Sequence, residues 1–319
     1  MTRLVLLDPA APDRIDRMRP FLPEGWELTT AASRDPVDQL AALKGARFAI
    51  TGDAPVTAEM FAVPGLEAVH KWGVGYDNID LDVARAAGVR VLRTTGSNAV
   101  AVAETTLGMI LALGRNLVRG HMGIVNGEWL KGGLAPSSTT LDGKTVGIVG
   151  LGHIGAALAK RLRGFDCKVL YTKRSPIPKD QASALGVRYA PLAKLLATSD
   201  VVTLNCELND STRAMIDAAA LASMKPGAFL VNLARGGIVV EADLAQALRS
   251  GHLAGAATDV FGQEPVRPDN PLLNLDRVIL TPHIGAVSSA SFTTSVQRMI
   301  GNLYAISRGE APSEIDVLI

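Results

Sequence analysis

The sequence predicts an α/β chain made of two doubly wound parallel-sheet domains, one inserted into the other. Two separate series of short apolar runs alternate with helical stretches, the pattern of parallel strands covered by helices. The 319 residues exceed the usual span of one domain, roughly 100–200 residues, and so favour two. The last segment, 288–308, carries Val296, Met299, Ile300 and Leu303 at helical spacing and reads as a packing helix that returns to the first series.

The first series comprises LVLLD (4–8), RFAITG (47–52), LEAVHKWG (66–73) and VRVLRTTG (89–96), each followed by a turn and a helical stretch. A long helix candidate then covers 100–119. Glu104 and two threonines interrupt its apolar part, which falls short of the roughly 18 residues of a membrane span, so a buried helix and no membrane partner are expected. An irregular stretch rich in Gly and Ser follows at 126–140. The second series opens at Lys144 with KTVGIVGLGHIG and continues through CKVLYT (167–172), VRYA (187–190), DVVTLNC (200–206), AFLVNLA (228–234), AGAATDVF (254–261) and RVILTPH (277–283). The expected layout is a discontinuous domain of 1–98 plus 286–319 around an inserted domain of 99–285, joined by crossovers near Asn98 and Ala286.

Composition narrows the function. Lys and Arg number 32 against 31 Asp and Glu, a net charge of +1, so no nucleic-acid partner is expected, since phosphate-backbone binding needs a basic excess. Cys167 and Cys206 are too few for a disulfide framework or a four-thiolate zinc site. No secretory leader precedes the first apolar run, and the expectation is a cytoplasmic protein. None of the five histidines forms a pair at metal-ligand spacing, so no metal is expected.

Gly150-Leu-Gly152-His153-Ile154-Gly155 follows an apolar strand, opens a helical stretch, and precedes a second strand about 20 residues on. That context turns a weak motif into a dinucleotide site. The first glycine permits a tight turn, the second lets backbone approach a pyrophosphate, and the third permits close helix–strand contact. The helix N-terminus adds N–H groups and partial positive charge for the pyrophosphate. An NAD site would place an acid at the end of the second strand; here the chain reads Thr172-Lys173-Arg174-Ser175. Arg174 and Lys173 suit a 2′-phosphate, so NADP(H) is preferred, with NAD(H) as the alternative.

Three ionisable residues fall at predicted strand ends, where open α/β sheets bind ligands: Arg235, Glu264 and His283. With these in view the chain resembles the D-isomer-specific 2-hydroxyacid dehydrogenase family across about residues 48–302. The marks are GVGYDNID (73–80), NAVAVAE (98–104), the glycine loop, VNLARGG (231–237), DVFGQEP (259–265) and TPHIG (281–285). The resemblance implies that Arg235, Glu264 and His283 are the catalytic set, that Val74 and Gly75 offer backbone N–H groups to the substrate carboxylate, and that the chain forms a homodimer through an arm in 116–140. It adds Cys206, Thr212, Ala234, Asp259, His283 and Gly285 to the cofactor-facing residues. Glu207 stands where the family usually has Pro.

The roles follow from residue chemistry. Reduction of a 2-keto acid places negative charge on the carbonyl oxygen as hydride arrives, and a proton must follow. Protonated His283 is the general acid, worth roughly 10²–10⁴-fold in rate. Glu264 at the other ring nitrogen orients the imidazole and favours its charged form. Arg235 holds the substrate carboxylate and carbonyl with its planar fork. The Glu–His pairing argues against the formate dehydrogenase branch, whose matching residue is typically Gln. Lys71 precedes the Gly73 turn, but the other substrate loop carries Asp53, which favours a small unphosphorylated acid of the glyoxylate or hydroxypyruvate type. The alternatives are an NAD-dependent D-2-hydroxyacid or phosphoglycerate dehydrogenase and, from the corepressors of the same family, a nucleotide-sensing binding protein.

Overall fold

Every pairing between two strands of the sheets is parallel, as expected of strands that read as short apolar runs rather than alternating ones. The structure, a computed structural model, describes residues 1–319 and divides into two units, Met1–Asn98 with Ser288–Ile319, and Ala99–Val287.

In the first unit β1 (Thr2–Leu6), α1 (Pro12–Met18), β2 (Trp26–Thr30), α2 (Pro36–Leu43), β3 (Phe48–Thr51), α3 (Ala58–Phe61), β4 (Ala68–Lys71), α4 (Leu81–Ala86) and β5 (Arg90–Arg93) form a five-stranded sheet. Its order, β2-β1-β3-β4-β5, is the flavodoxin-like doubly wound order. The side chains of β3 and β4 are buried throughout, which is why these two runs are uninterruptedly apolar or neutral up to His70 and Lys71. Strand β2 has no counterpart among the four expected runs. It is an edge strand, WELTT, with Glu27 exposed, so it needs no apolar run.

The second unit contains α5 (Ala99–Gly114), α6 (Leu117–Val125), α7 (Lys131–Leu134), β6 (Thr145–Val149), α8 (His153–Leu162), β7 (Lys168–Thr172), α9 (Lys179–Leu185), β8 (Val187–Tyr189), α10 (Leu192–Thr198), β9 (Val201–Leu204), α11 (Ala218–Ser223), β10 (Phe229–Asn232), α12 (Glu241–Arg249), β11 (Gly255–Thr258) and β12 (Val278–Leu280). Its seven strands run β12-β11-β10-β9-β6-β7-β8. The chain winds outward one way from β6 to β8, then returns to β9 and winds the other way, leaving a switch point between β6 and β9.

The helix expected over 100–119 is broken. Asn116 takes a left-handed conformation (φ 51°) and starts α6, which bends 64° away from α5. The Asn116 side-chain amide donates to the hydroxyls of Ser137 and Ser138, and Thr139 N–H bonds the Gly114 carbonyl, so the returning 137–139 segment compensates the broken helix. No single helix is long and apolar enough to cross a membrane.

The chain re-enters the first unit as α13 (Ser289–Ser307), which places Val296, Met299, Ile300 and Leu303 in one core with Leu4, Phe48 and Leu92. Polar groups at this junction are all paired. Arg298 holds the fully buried Asp316 with two hydrogen bonds. Asn302 donates to Asp316 and to His70 Nε2, while His70 Nδ1 faces the Lys71 carbonyl at 2.9 Å. These partners suit neutral His70, with its proton on Nδ1.

Burial pushes the His70 pKa down to about 4 from an ordinary 6.5. Between those values the unfolded chain binds a proton that the folded chain refuses, so the contribution is complete above pH 6.5 and is lost as pH falls toward 4. Chemical denaturation across this range should show a loss of about 3 kcal/mol. The loss should be largely absent in His70→Gln; an unchanged slope in that variant would assign it elsewhere.

Candidate active site

The glycine loop leaves β6 at the switch point and meets the end of β9. Gly150 has φ +96°, and a Cβ there would lie 2.6 Å from the Asn205 carbonyl, so only glycine fits. A Cβ at Gly155 would sit 2.4 Å from the Gly150 carbonyl oxygen, whereas at Gly152 it would meet nothing within 4 Å. The two outer glycines are therefore closed in by protein and the middle one is open. Gly152 caps α8 without a side chain, leaving the N–H groups at His153, Ile154 and Gly155 uncapped. Closed outer glycines, an open central one and an uncapped helix N-terminus fit a dinucleotide pyrophosphate.

Gly150 N–H donates to the Thr172 carbonyl at 2.9 Å, which brings residues 172–175 beside this loop. Lys173, Arg174 and Ser175 are exposed, and the Tyr171 hydroxyl accepts the Ile177 N–H, anchoring the far side of their turn.

The catalytic candidates come from the carboxyl ends of three adjacent strands. Arg235 follows β10, Glu264 lies beyond β11 and His283 follows β12. His283 Nδ1 is 2.7 Å from Glu264 Oε2, and Glu264 Oε1 accepts the Phe261 N–H at 2.9 Å. Burial raises the Glu264 pKa, but the hydrogen bonds from His283 and Phe261 and the charges of His283 and Arg235 outweigh it and hold the carboxyl below its ordinary value. Asn232 grips both sides of the Arg235 loop, accepting from Ala234 N–H and donating to the Arg235 carbonyl. A cavity of about 700 Å³ lies at the opposite end of this sheet, beside Lys144, Asp200 and Arg277, and is not part of the constellation.

Several of the residues singled out in the sequence are also bonded within the chain. Asp259 is 1% exposed. Its carboxylate accepts from the Thr281 hydroxyl, Ile284 N–H and Gly285 N–H, and its carbonyl accepts the His283 N–H. These bonds hold His283 at φ 54°, a left-handed conformation that costs a non-glycine residue roughly 1–2 kcal/mol. Asp259 thus braces the turn that carries His283. Gly285 is part of the same brace: its N–H goes to Asp259, its carbonyl accepts the Thr105 hydroxyl, and a Cβ would lie 2.8 Å from the Asp259 carboxylate.

The Thr212 hydroxyl is engaged within its own loop, accepting from Asn209 N–H and donating to the Glu207 carbonyl. Burial pushes the Cys206 thiol up to about 11, so it is no nucleophile. Lys71 is buried and donates to the Gly52 carbonyl. Ala234 is partly buried at the end of β10.

In the first unit Val74 and Gly75 lie in the turn after β4, opened by Gly73 at φ +121°. Their N–H groups make no hydrogen bond within the chain.

Residues 107–285 match the family model described as D-isomer specific 2-hydroxyacid dehydrogenase, NAD binding domain. A glyoxylate reductase of Korarchaeum cryptofilum is 39% identical over 264 residues, covering 82% of this chain and 79% of that protein. The mitochondrial formate dehydrogenase 2 of Oryza sativa subsp. japonica is 42% identical over 232 residues, covering 72% of this chain and 61% of that one. Among solved structures, the TT0316 protein of Thermus thermophilus superposes with a TM-score of 0.89 at 32% identity, each chain covered in full.

Asp259→Ala strips three donors of their acceptor in a buried turn. Melting experiments should show a loss of about 3 kcal/mol; unaltered stability would refute the bracing role.

Proposed function

The chain belongs to the D-isomer specific 2-hydroxyacid dehydrogenase family and is a nicotinamide-dependent oxidoreductase, and from that premise we propose that it reduces a small 2-keto acid of the glyoxylate or hydroxypyruvate type to the D-2-hydroxy acid with NADPH. The observation that carries this reading is the His283–Glu264 pair at 2.7 Å, on strand ends adjoining that of Arg235. When bound, the reduced nicotinamide supplies the hydride.

His283 delivers the proton to the carbonyl oxygen from Nε2, the nitrogen not engaged by Glu264. Glu264, its carboxyl held below the ordinary value chiefly by the His283 and Phe261 hydrogen bonds, keeps the ring oriented and stabilises imidazolium. Arg235 draws the developing oxyanion into its planar fork. The unpaired N–H groups of Val74 and Gly75 are donors for a substrate carboxylate. In the reverse direction neutral His283 is the base, so alkaline pH favours oxidation. Withdrawal of Lys71 into the Gly52 carbonyl supports an unphosphorylated substrate.

The exposed cations Lys173 and Arg174, with no acid beside them at the end of β7, support a 2′-phosphate. The exposed apolar residues Leu117, Ile124 and Val125 on α6, with Trp129 beyond it, support a homodimer through this arm.

A panel of short 2-keto acids with both cofactors tests the central reading. Oxidation of NADPH should require the keto acid, and His283→Ala should lower turnover about 10²–10⁴-fold while still binding NADPH. Arg174→Ala should erode the NADPH preference by about tenfold or more. Keto-acid-independent behaviour refutes the enzyme assignment, near-normal turnover of His283→Ala refutes its role, and equal use of both cofactors unaffected by Arg174→Ala returns the site to NAD. Light scattering should find a dimer that Ile124→Glu weakens; a monomeric parent protein refutes the arm.

A further inference from the structure

The two unpaired N–H groups at Val74 and Gly75 lie in peptide units whose carbonyl ends are both tied to the end of β5. The Gly73 carbonyl accepts from Thr94 N–H at 3.0 Å and from the Thr94 hydroxyl at 3.2 Å. The Val74 carbonyl accepts from Arg93 Nη1 at 3.0 Å. Both peptides are trans, and in a trans peptide the carbonyl and the N–H point in opposite directions. Pinning the Gly73 carbonyl therefore turns the Val74 N–H away from β5, and pinning the Val74 carbonyl does the same for the Gly75 N–H.

Arg93 is held for this task. Its Nε donates to the Thr95 hydroxyl at 3.2 Å, and its guanidinium lies 5.3 Å from the centroid of the Tyr76 ring. The Thr95 hydroxyl in turn donates to the Ile315 carbonyl, and Thr95 N–H donates to Asp316, so the guanidinium is backed by the buried junction of α13 and the C-terminal segment. A cation on one end of a peptide unit also polarises it, making the N–H at the other end a stronger donor.

We infer that Arg93 is a positioning residue for the carboxylate of the substrate: it orients and polarises the Val74–Gly75 peptide without touching the substrate. This rests on the proposed role of the Val74–Gly75 turn. It assigns Arg93 to substrate affinity. Replacement by a neutral side chain frees the Val74 carbonyl to rotate and weakens the Gly75 donor. The effect belongs in KM for the keto acid and not in turnover at saturation, as for an interaction made equally in ground state and transition state.

The test is steady-state kinetics of the full chain with NADPH and the best keto acid of the panel, comparing the parent protein with Arg93→Gln and Arg93→Ala. KM for the keto acid should rise about tenfold or more, with kcat within about twofold and KM for NADPH unchanged. Millimolar guanidinium should lower the raised KM of Arg93→Ala, and inhibition by oxalate, a carboxylate ligand without hydride chemistry, should weaken in parallel. An unchanged KM overturns the inference. So does a fall in kcat together with the melting temperature, without guanidinium rescue, which would make Arg93 a packing residue. Turnover by the parent protein with an unchanged KM in the variants removes Arg93 alone, whereas no turnover by the parent removes the functional reading on which it rests.

Discussion

The His283–Glu264 arrangement depends on one buried carboxylate. Asp259 ends β11 and is closed off from solvent, yet its side chain gathers the Thr281 hydroxyl and two successive N–H groups beyond β12. A carboxylate in such a place is tolerable only because donors surround it, and those donors all belong to the turn that carries His283. The left-handed backbone at His283 is an unfavourable conformation for an imidazole-bearing residue, and the Asp259 bonds hold it. With the turn fixed, the ring meets Glu264 from the neighbouring strand end, and the pair becomes a property of the sheet rather than of a loop.

The same economy appears at the other loops. Parallel strands end together on one side of a sheet, so residues far apart in sequence become neighbours once the strand order is set. Gly150 and Asn205 approach because β6 and β9 flank the switch point. In the first unit the Gly73–Tyr76 turn rests on the end of β5, its neighbour in the sheet.

Much of this was legible in the sequence. Strands buried on both faces leave uninterrupted apolar runs, and the two outer glycines of the loop, Gly150 and Gly155, are dictated by local crowding that only glycine survives. Strand β2 was not legible, because an edge strand with one wet face carries Glu27 and threonines where an inner strand carries aliphatics. The break at Asn116 was hidden because apolar and basic residues continue at helical spacing on both sides; the cause is the chain that returns at 137–139. Arg235, Glu264 and His283 could be picked out by residue type and place. The duties of Asp259, Lys71 and Arg93 could not, since each is defined by a partner 19 or more residues away.

Lys173 and Arg174 contrast with these committed residues. They stand in solvent after β7, bonded to nothing within the chain, on a turn whose shape is held by Gly150 and Tyr171 instead. These are positions that carry no share of the fold. Substitutions there are nearly free of stability cost, whereas a change at Asp259 or Gly150 is not. The turn after β7 can therefore drift under selection while the His283 turn stays fixed, a division of labour that makes one part of this enzyme evolvable and the other conservative.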